Sequence, residues 1–442
     1  MKHEELARYL VQQFKKKGAD DVVVQLNNTD NSHIKFSNNK VTTTKLWNLE
    51  GMSVFVAKDK KVVSSSLKSF SKAAVKELVS QMMQSAKNVP PNPNYRGIAK
   101  GPFKYKVIKD MCDEHVVSMD TELIDITKQS IDVVKHKAKR AAGVFEQGSG
   151  STFLVTSNDV EVQERYSHLY FSMRALMNKN ASGHTVVLSR TKKGFDYMKT
   201  AEHAADIAKK AHTTRKSISG SYDVIFEPHA FANLLENLAH SASIFSVEAG
   251  LSCLKDALGK KVASDQLTLY DDATVANGYG SSSFDDEGHP TQKNALIENG
   301  VFKTYLHNTS TAERYNTKNT ANAGLISPEP HNIVVKPGTY SKDELFSSVK
   351  KGIYITNVWY TRFNNYATGD FSTIPRDGAF YIENGEIKYA LKDVRISDNL
   401  LTMMKNVVRI GKEVEQIKSW EIETPVFSPY VVIKDVQLSK PS

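Results

Sequence analysis

The sequence predicts an α+β protein: a mixed α/β N-terminal domain, then a β-rich C-terminal domain of mostly antiparallel hairpins with a few helices. Three observations carry this reading. Helical stripes and alternating apolar strands follow one another in the first half without regular βαβ alternation. The tetrapeptide Ile-Glu-Asn-Gly occurs twice, at 297–300 and 382–385, each time between apolar, β-prone runs. Asn-Gly in that setting signals a hairpin, because a type I′ turn needs φ > 0 at both central residues. Charge also reverses along the chain: residues 1–220 hold 36 Lys+Arg against 22 Asp+Glu, and the remainder holds 22 against 27. A basic half joined to an acidic half reads as two domains, 1–215 and 221–442.

The elements follow in order. Leu6, Leu10 and Phe14, with Ala7 and Val11, form the apolar stripe of a helix over 4–17, and Gly18 stands where a C-cap is wanted. Val22, Val24 and Leu26 alternate as a strand. Two or three more strands follow through Ile34, Val41 and the 54–63 region, with Lys58-Asp59-Lys60 as a turn. Val75, Leu78, Val79, Met82 and Ala86 mark a second helix, which Pro90-Pro91-Asn92-Pro93 ends. An extended connection then runs to Met111. A third helix is expected over 121–139, strands over 144–190 and a fourth helix over 201–211. The basic, Ser/Gly-containing stretch 213–222 reads as the domain boundary. Residues 223–226 form a short buried strand, and Pro228 opens a helix with apolar positions 231, 234, 235, 238, 239 and 242. From 262 onward the pattern is mostly β, with helices near 343–350 and 399–410.

Composition excludes several classes. A chain of 442 residues, 40% hydrophobic and 24% charged, is ordinary globular protein with two to three domains. No apolar run approaches the roughly 20 residues that span a bilayer, so no membrane partner is expected. The N-terminus opens on a charged helix, not an apolar leader. Two cysteines, Cys112 and Cys253, without CxxC, exclude a disulfide framework or cysteine-rich zinc module and fit a cytoplasmic location. The basic half allows nucleic-acid binding, but its lysine clusters are short and lack interleaved aromatics, so solvated faces are the simpler reading.

Short pieces of the C-terminal half are more specific. In order they are Leu258-Gly259, Asp271-Asp272, Phe284-Asp-Asp-Glu-Gly288, Asn299-Gly300, Thr311-Ala312, Ala321-Asn-Ala-Gly324, Thr368-Gly-Asp-Phe-Ser372, Ile382-Glu-Asn-Gly385 and Asn406-Val-Val408 before Gly411. Together, over about 200 residues, they resemble the TldD/PmbA family, known for peptide-processing metalloproteases and long called modulators of DNA gyrase. The N-terminal half matches only in pattern.

The resemblance implies a site to look for. The family's protease resembles a zinc enzyme with an HExxxH helix, two histidines on zinc and a glutamate activating water, plus a distal cysteine ligand. None of the 13 histidines here opens HExxH or HExxxH. His3 precedes Glu4, but positions 7 and 8 are Ala and Arg. Aligning Leu234-Leu235 with the apolar pair before the motif puts Glu236 at the first histidine, Asn237 at the glutamate and Ser241 at the second histidine. No cysteine follows Cys253. The resemblance therefore implies a PmbA/TldE-type chain with no catalytic or metal residue of its own. It would be the non-zinc-binding subunit of a heterodimeric metalloprotease acting on unfolded peptides, with zinc expected in a TldD-like partner.

Asn233, Glu236, Asn237 and His240 share the polar face of the helix and are the candidate partner or peptide contacts. Glu236 and His240 at i,i+4 could share an ion, but a solvated or interface-facing polar stripe is the simpler reading. His229 lies on the same face about 16 Å along the axis from His240, so those two cannot share a metal. Asp285, Asp286, Glu287 and His289 form the densest acidic group; its spacing is not that of an EF-hand, and a turn explains it. Cys253 sits in an apolar context and reads as a packing thiol. No GxSxG, P-loop or dinucleotide fingerprint is present. The hairpins at Asn299-Gly300 and Asn384-Gly385 offer edges for strand addition by a peptide. Two other readings stand beside this one: a non-enzymatic, nucleic-acid-associated regulator, which steep salt dependence would reveal, and a homodimeric peptidase with an unrecognised site.

Limited proteolysis should cut within 213–221 or at 90–93 before it cuts inside 223–410. Early cleavage at Asn299 or Asn384, with 213–221 resistant, would contradict the two-domain division.

Overall fold

A computed structural model of the chain describes residues 2–119, 122–213 and 218–440. Thr121 of the third predicted helix and residues 214–217 of the predicted boundary lie outside the described residues. The first half comprises α1 (His3–Lys16), β1 (Asp21–Ser37), β2 (Lys40–Lys58), β3 (Lys61–Leu67), α2 (Lys72–Asn88), α3 (Glu114–Val117), α4 (Glu122–Lys135), β4 (Arg140–Thr156), β5 (Glu161–Asn178), β6 (Ala181–Ser189) and α5 (Tyr197–Lys210). The second half begins with β7 (Gly220–Phe226), α6 (Pro228–Ser241), α7 (Ile244–Glu248), β8 (Leu269–Asp272), β9 (Lys293–Glu298), β10 (Val301–Phe302), α8 (Thr309–Arg314) and β11 (Ile333–Val335). It continues through α9 (Lys342–Ser347), β12 (Lys351–Ile355), β13 (Val358–Asn365), β14 (Asp370–Pro375), β15 (Ala379–Glu383), β16 (Glu386–Ala390), β17 (Arg395–Asn399), α10 (Leu400–Lys405), β18 (Val407–Ser419) and β19 (Ile422–Ser439).

The α+β class holds, with two sheets. The first has six strands in the order β3-β2-β1-β4-β5-β6, all antiparallel. Its β1 is one strand of 17 residues, where the sequence suggested separate short ones. The polar run Asn27–His33 breaks the apolar alternation, yet it stays extended because β2 and β4 pair with it on both sides. The Asn38-Asn39 turn, with φ of 50° and 65°, joins β1 to β2 and was not read from the sequence. Leu10 and Phe14 of α1 pack with Val24, Val54 and Val79. Phe36, Phe145 and Phe171 pack with Ala201, Ala204 and Ala208 of α5. That helix lies close on β6 at Gly183, where an added Cβ would sit 2.1 Å from the Ala204 carbonyl oxygen.

The second sheet follows the path β10-β9-β8-β11-β19-β7-β12-β15-β16, with β18 and the branch β17-β14-β13 attached to β19. Only the β11/β19 and β12/β7 pairs are parallel. Both predicted Asn-Gly hairpins form: Asn299 and Gly300 have φ of 48° and 79° between β9 and β10, and Asn384 and Gly385 have 52° and 79° between β15 and β16. Helix α6 is buried nearly all round, with Phe231, Leu234, Leu235 and Leu238 among its buried residues, which marks it as a core helix. The short α3, α7 and α8 were not read from the sequence; each has fewer than eight residues, too few for a periodic signal.

The halves are joined by buried polar clasps. Asp377, whose side chain is wholly buried, accepts hydrogen bonds from Arg174 at 3.0 and 2.6 Å, Ser182 at 2.5 Å and Asn357 at 2.8 Å. Burial alone would raise its carboxyl, but Arg174 together with His184, Ser182 and Asn357 outweighs burial and holds it below the usual range. Arg190 reaches the carbonyls of Gly278 and Tyr279 at 2.7 and 2.6 Å. Removing one partner of a buried ion pair strands the other charge. Arg174→Met should therefore cost roughly 3–5 kcal/mol in a denaturant titration, and adding Asp377→Asn should recover part of it.

Candidate functional site

Pro228 at the first turn starts α6, and Glu227 stands before it as N-cap. The apolar positions bury the helix, so its few polar side chains collect on one side. Spacing placed Asn233, Glu236, Asn237 and His240 on one face, and they are there. That face is turned onto the chain's own β18–β19 tip. Asn233, 2% exposed, donates to the Glu421 carbonyl at 3.1 Å and accepts from Thr361 Oγ1 at 2.6 Å. Glu236, 7% exposed, accepts from the Thr424 backbone N–H at 2.7 Å. Asn237 donates to the Asn233 carbonyl at 2.8 Å, and His240 Nε2 lies 3.1 Å from Thr424 Oγ1. Asn237 and His240 remain half-buried. Trp420 at the tip is exposed and packs edge-on against Trp359, with ring centroids 5.0 Å apart.

These side chains do not fit a zinc site. The Glu236 carboxylate is spent on a backbone N–H, and burial pushes it up to about 7. Ser241, which the alignment sets at the second histidine, donates to the Asn237 carbonyl at 2.9 Å. Among the described residues no three His, Cys, Asp or Glu side chains come together in a way that could hold a metal ion.

The acidic loop is structural, as the turn reading expected. Asp285 accepts from the N–H groups of Glu287, His289 and Ala323 at 3.0, 2.9 and 3.1 Å. Glu287 accepts from the N–H groups of Ala99 and Thr309 at 3.2 and 3.3 Å, so the extended connection is tied to the second half. Burial pushes Glu287 up to about 8. Cys253 is buried, as its context implied.

A second polar centre lies at the other end of α6 and was not anticipated. A cleft of about 630 Å³ opens between α5 and β6 on one side and β18 on the other. In its wall, Glu227 is buried and accepts from His203 Nε2 at 2.5 Å and Tyr430 Oη at 2.6 Å; Lys342 in turn donates to Tyr430 Oη at 2.8 Å. Burial would raise Glu227, but His203, Lys342 and Tyr430 together bring it down to about 2. Glu227 in turn raises His203. His229 reaches the same cleft, not the His240 end. These groups come from four separate elements or their ends (α5, α6, α9 and β19), and no local spacing could have revealed them. The larger groove of about 780 Å³, lined by Lys2, His3 and Glu50 on the first sheet, already pairs His3 with Glu50 at 2.5 Å.

Comparison with known proteins agrees along the chain. Family models described as PmbA/TldA metallopeptidase domain 1, central domain and C-terminal domain match residues 22–86, 111–214 and 219–440. A metalloprotease of Methanocaldococcus jannaschii is 34% identical over 230 residues, a match that spans half of each chain. An uncharacterized protein of the same organism is 31% identical over 343 residues, covering 75% of this chain and 78% of that one. The crystal structure of TldE from Thermococcus kodakarensis superposes with a TM-score of 0.86 at 22% identity, covering 99% of each chain, which shows a shared fold.

Glu236 gives a pH test. Its folded value lies above the usual 4.5, so the folded chain keeps this proton after the unfolded chain has lost it. Stability should therefore fall as pH rises from about 4.5 through about 7 and level off above. Glu236→Gln should remove that slope, so that wild type loses about 3 kcal/mol relative to the variant across the window in denaturant titrations.

Proposed function

The chain belongs to the PmbA/TldD family of metallopeptidases, and from that premise we propose that it is the subunit of a two-chain peptidase that does not carry the metal. A TldD-like partner brings zinc and the activated water. This chain contributes the walls that hold an unfolded peptide near them, and the complex works in the cytoplasm. The observation that carries the reading is the state of α6: where the resemblance sets two zinc ligands and the water-activating glutamate stand Glu236, Ser241 and Asn237, all engaged in hydrogen bonds within the chain. Peptide hydrolysis needs an activated nucleophile and an electrophilic stabiliser, and these groups supply neither. The shared fold with TldE over 99% of each chain supports the assignment. No helix among the described residues is long and apolar enough to cross a membrane.

Two surfaces suit the role. The half-buried Asn237 and His240 are the accessible end of the α6 face and the place for a partner or peptide contact. Strand β16 ends the main path of the second sheet, so its outer edge can accept an extended peptide by strand addition. A stable pairing should bury at least roughly 1,000 Å².

Mixing this chain with its HExxxH-bearing partner and an unfolded peptide tests the proposal. Cleavage is expected only when both chains are present. Cleavage at full rate without this chain would show that it is not a required subunit. Cleavage by this chain alone, abolished by a chelator, would place a metal site in it.

A further inference from the structure

The cleft beside α6 carries uncompensated charge. Glu413 and Glu415 lie two residues apart on β18, so they share a face of the strand and both line the cleft. Both are exposed and neither has an ion pair or hydrogen bond among the described residues; the cleft wall raises the Glu415 carboxyl, by burial first and then by Glu227, against the pull of His203, Lys342 and Lys199. On the opposite wall Glu202 and Asp206 share one lysine, Lys137, at 2.8 and 2.7 Å. Lys199, Lys342 and His203 only partly offset these carboxylates and Glu227. A concave site with excess negative charge focuses its field and concentrates cations.

Acidic residues alone would not identify a ligand; the inner end of the cleft does. His184 and His229, each 7% exposed, line it with ring centroids 5.2 Å apart. His184 Nε2 is engaged by Ser172 Oγ at 2.9 Å and His229 Nε2 by Ser419 Oγ at 3.3 Å. The Nδ1 atom of each ring is buried without a hydrogen-bond partner. Burial brings the two imidazoles down to about 4 and about 3, so both are neutral. Buried polar atoms are nearly always paired, and an unpaired one is costly to keep. A metal ion would need further ligands, and among the described residues no third His, Cys, Asp or Glu completes a set. A peptide backbone carries both N–H and C=O groups, so it can satisfy these nitrogens in either tautomer. The cleft volume of about 630 Å³ suits a short segment.

We propose that this cleft binds an extended peptide segment bearing a lysine or arginine, with the cationic side chain against Glu413 and Glu415 and a backbone amide toward the His184–His229 pair. This names a substrate class for the peptide-holding role and rests on that reading. The test nevertheless needs neither partner nor proteolysis, so either can fail alone.

Fluorescence anisotropy of the full chain with a labelled, unstructured lysine-containing peptide tests it, beside the same peptide with glutamate in place of lysine. The lysine peptide should bind at least about tenfold more tightly. The double substitution Glu413→Gln/Glu415→Gln, at water-exposed strand positions, should remove that preference. Glu415→Lys should invert it. Equal binding of the two peptides, or an unchanged preference in both variants, would overturn the proposal. Displacement of the peptide by free spermidine at equal affinity would overturn the peptide assignment in favour of a free amine.

Discussion

Strand β19 is the constraint on which the second half depends. Along one edge it pairs first with β11 and then with β7; along the other it pairs with β18 and then β17. Its apolar residues Val426, Val431, Val432 and Ile433 are buried, so a slip of one residue would turn every one of them to the wrong face. The same strand sets both ends of α6. Thr424 near its start bonds Glu236 and His240, and Tyr430 further along bonds Glu227. The register of one strand thereby places the polar stripe under the β18–β19 tip and the Glu227–His203 pair in the cleft wall.

Burial raises both carboxylates of α6, and their partners decide the outcome. Glu227 is paired with a histidine, a tyrosine and a nearby lysine and stays ionised. Glu236 has only backbone N–H donors, too little to offset burial, and is pushed up to about 7. A carboxyl that can be neutral near pH 7 tolerates an apolar surround, so Glu236 belongs to the packing of the helix against the hairpin. The ionised Glu227 instead raises His203 at the rim of an open cleft. The chemistry that can face a ligand therefore lies at the N-terminal end of α6, away from the position where the resemblance sets the zinc ligands.

The motifs that carried the family resemblance are mostly devices for fixing backbone. Asn299-Gly300 and Asn384-Gly385 supply left-handed turn residues, as does Ala321, held at φ 55° in the loop where Asn322 bonds Asp271 at 2.6 Å. Asp285 gathers three N–H groups from two loops. Gly369, at φ 83°, lets the turn pass Cys253, where an added Cβ would come within 3.2 Å of the cysteine Cβ. Such positions tolerate few residue types, which makes them readable in one sequence, and they bear on shape more than on ligand chemistry.

By itself the sequence determined what local physics decides: the apolar stripes of α1, α2, α5 and α6, both Asn-Gly hairpins, and the absence of HExxxH. Each rests on residues within a few positions of one another. The tertiary structure alone decided that polar Asn27–His33 lies within one long strand, because two flanking strands satisfy its backbone. It alone turned Asn233 and Glu236 inward, because the polar groups facing them come from residues 361, 421 and 424. It alone assembled the cleft, bringing His184, His203, Glu227, Lys342 and Glu415 together from distant segments. Contacts between residues so far apart are set by sheet register and helix packing, which leave no periodic trace in the chain.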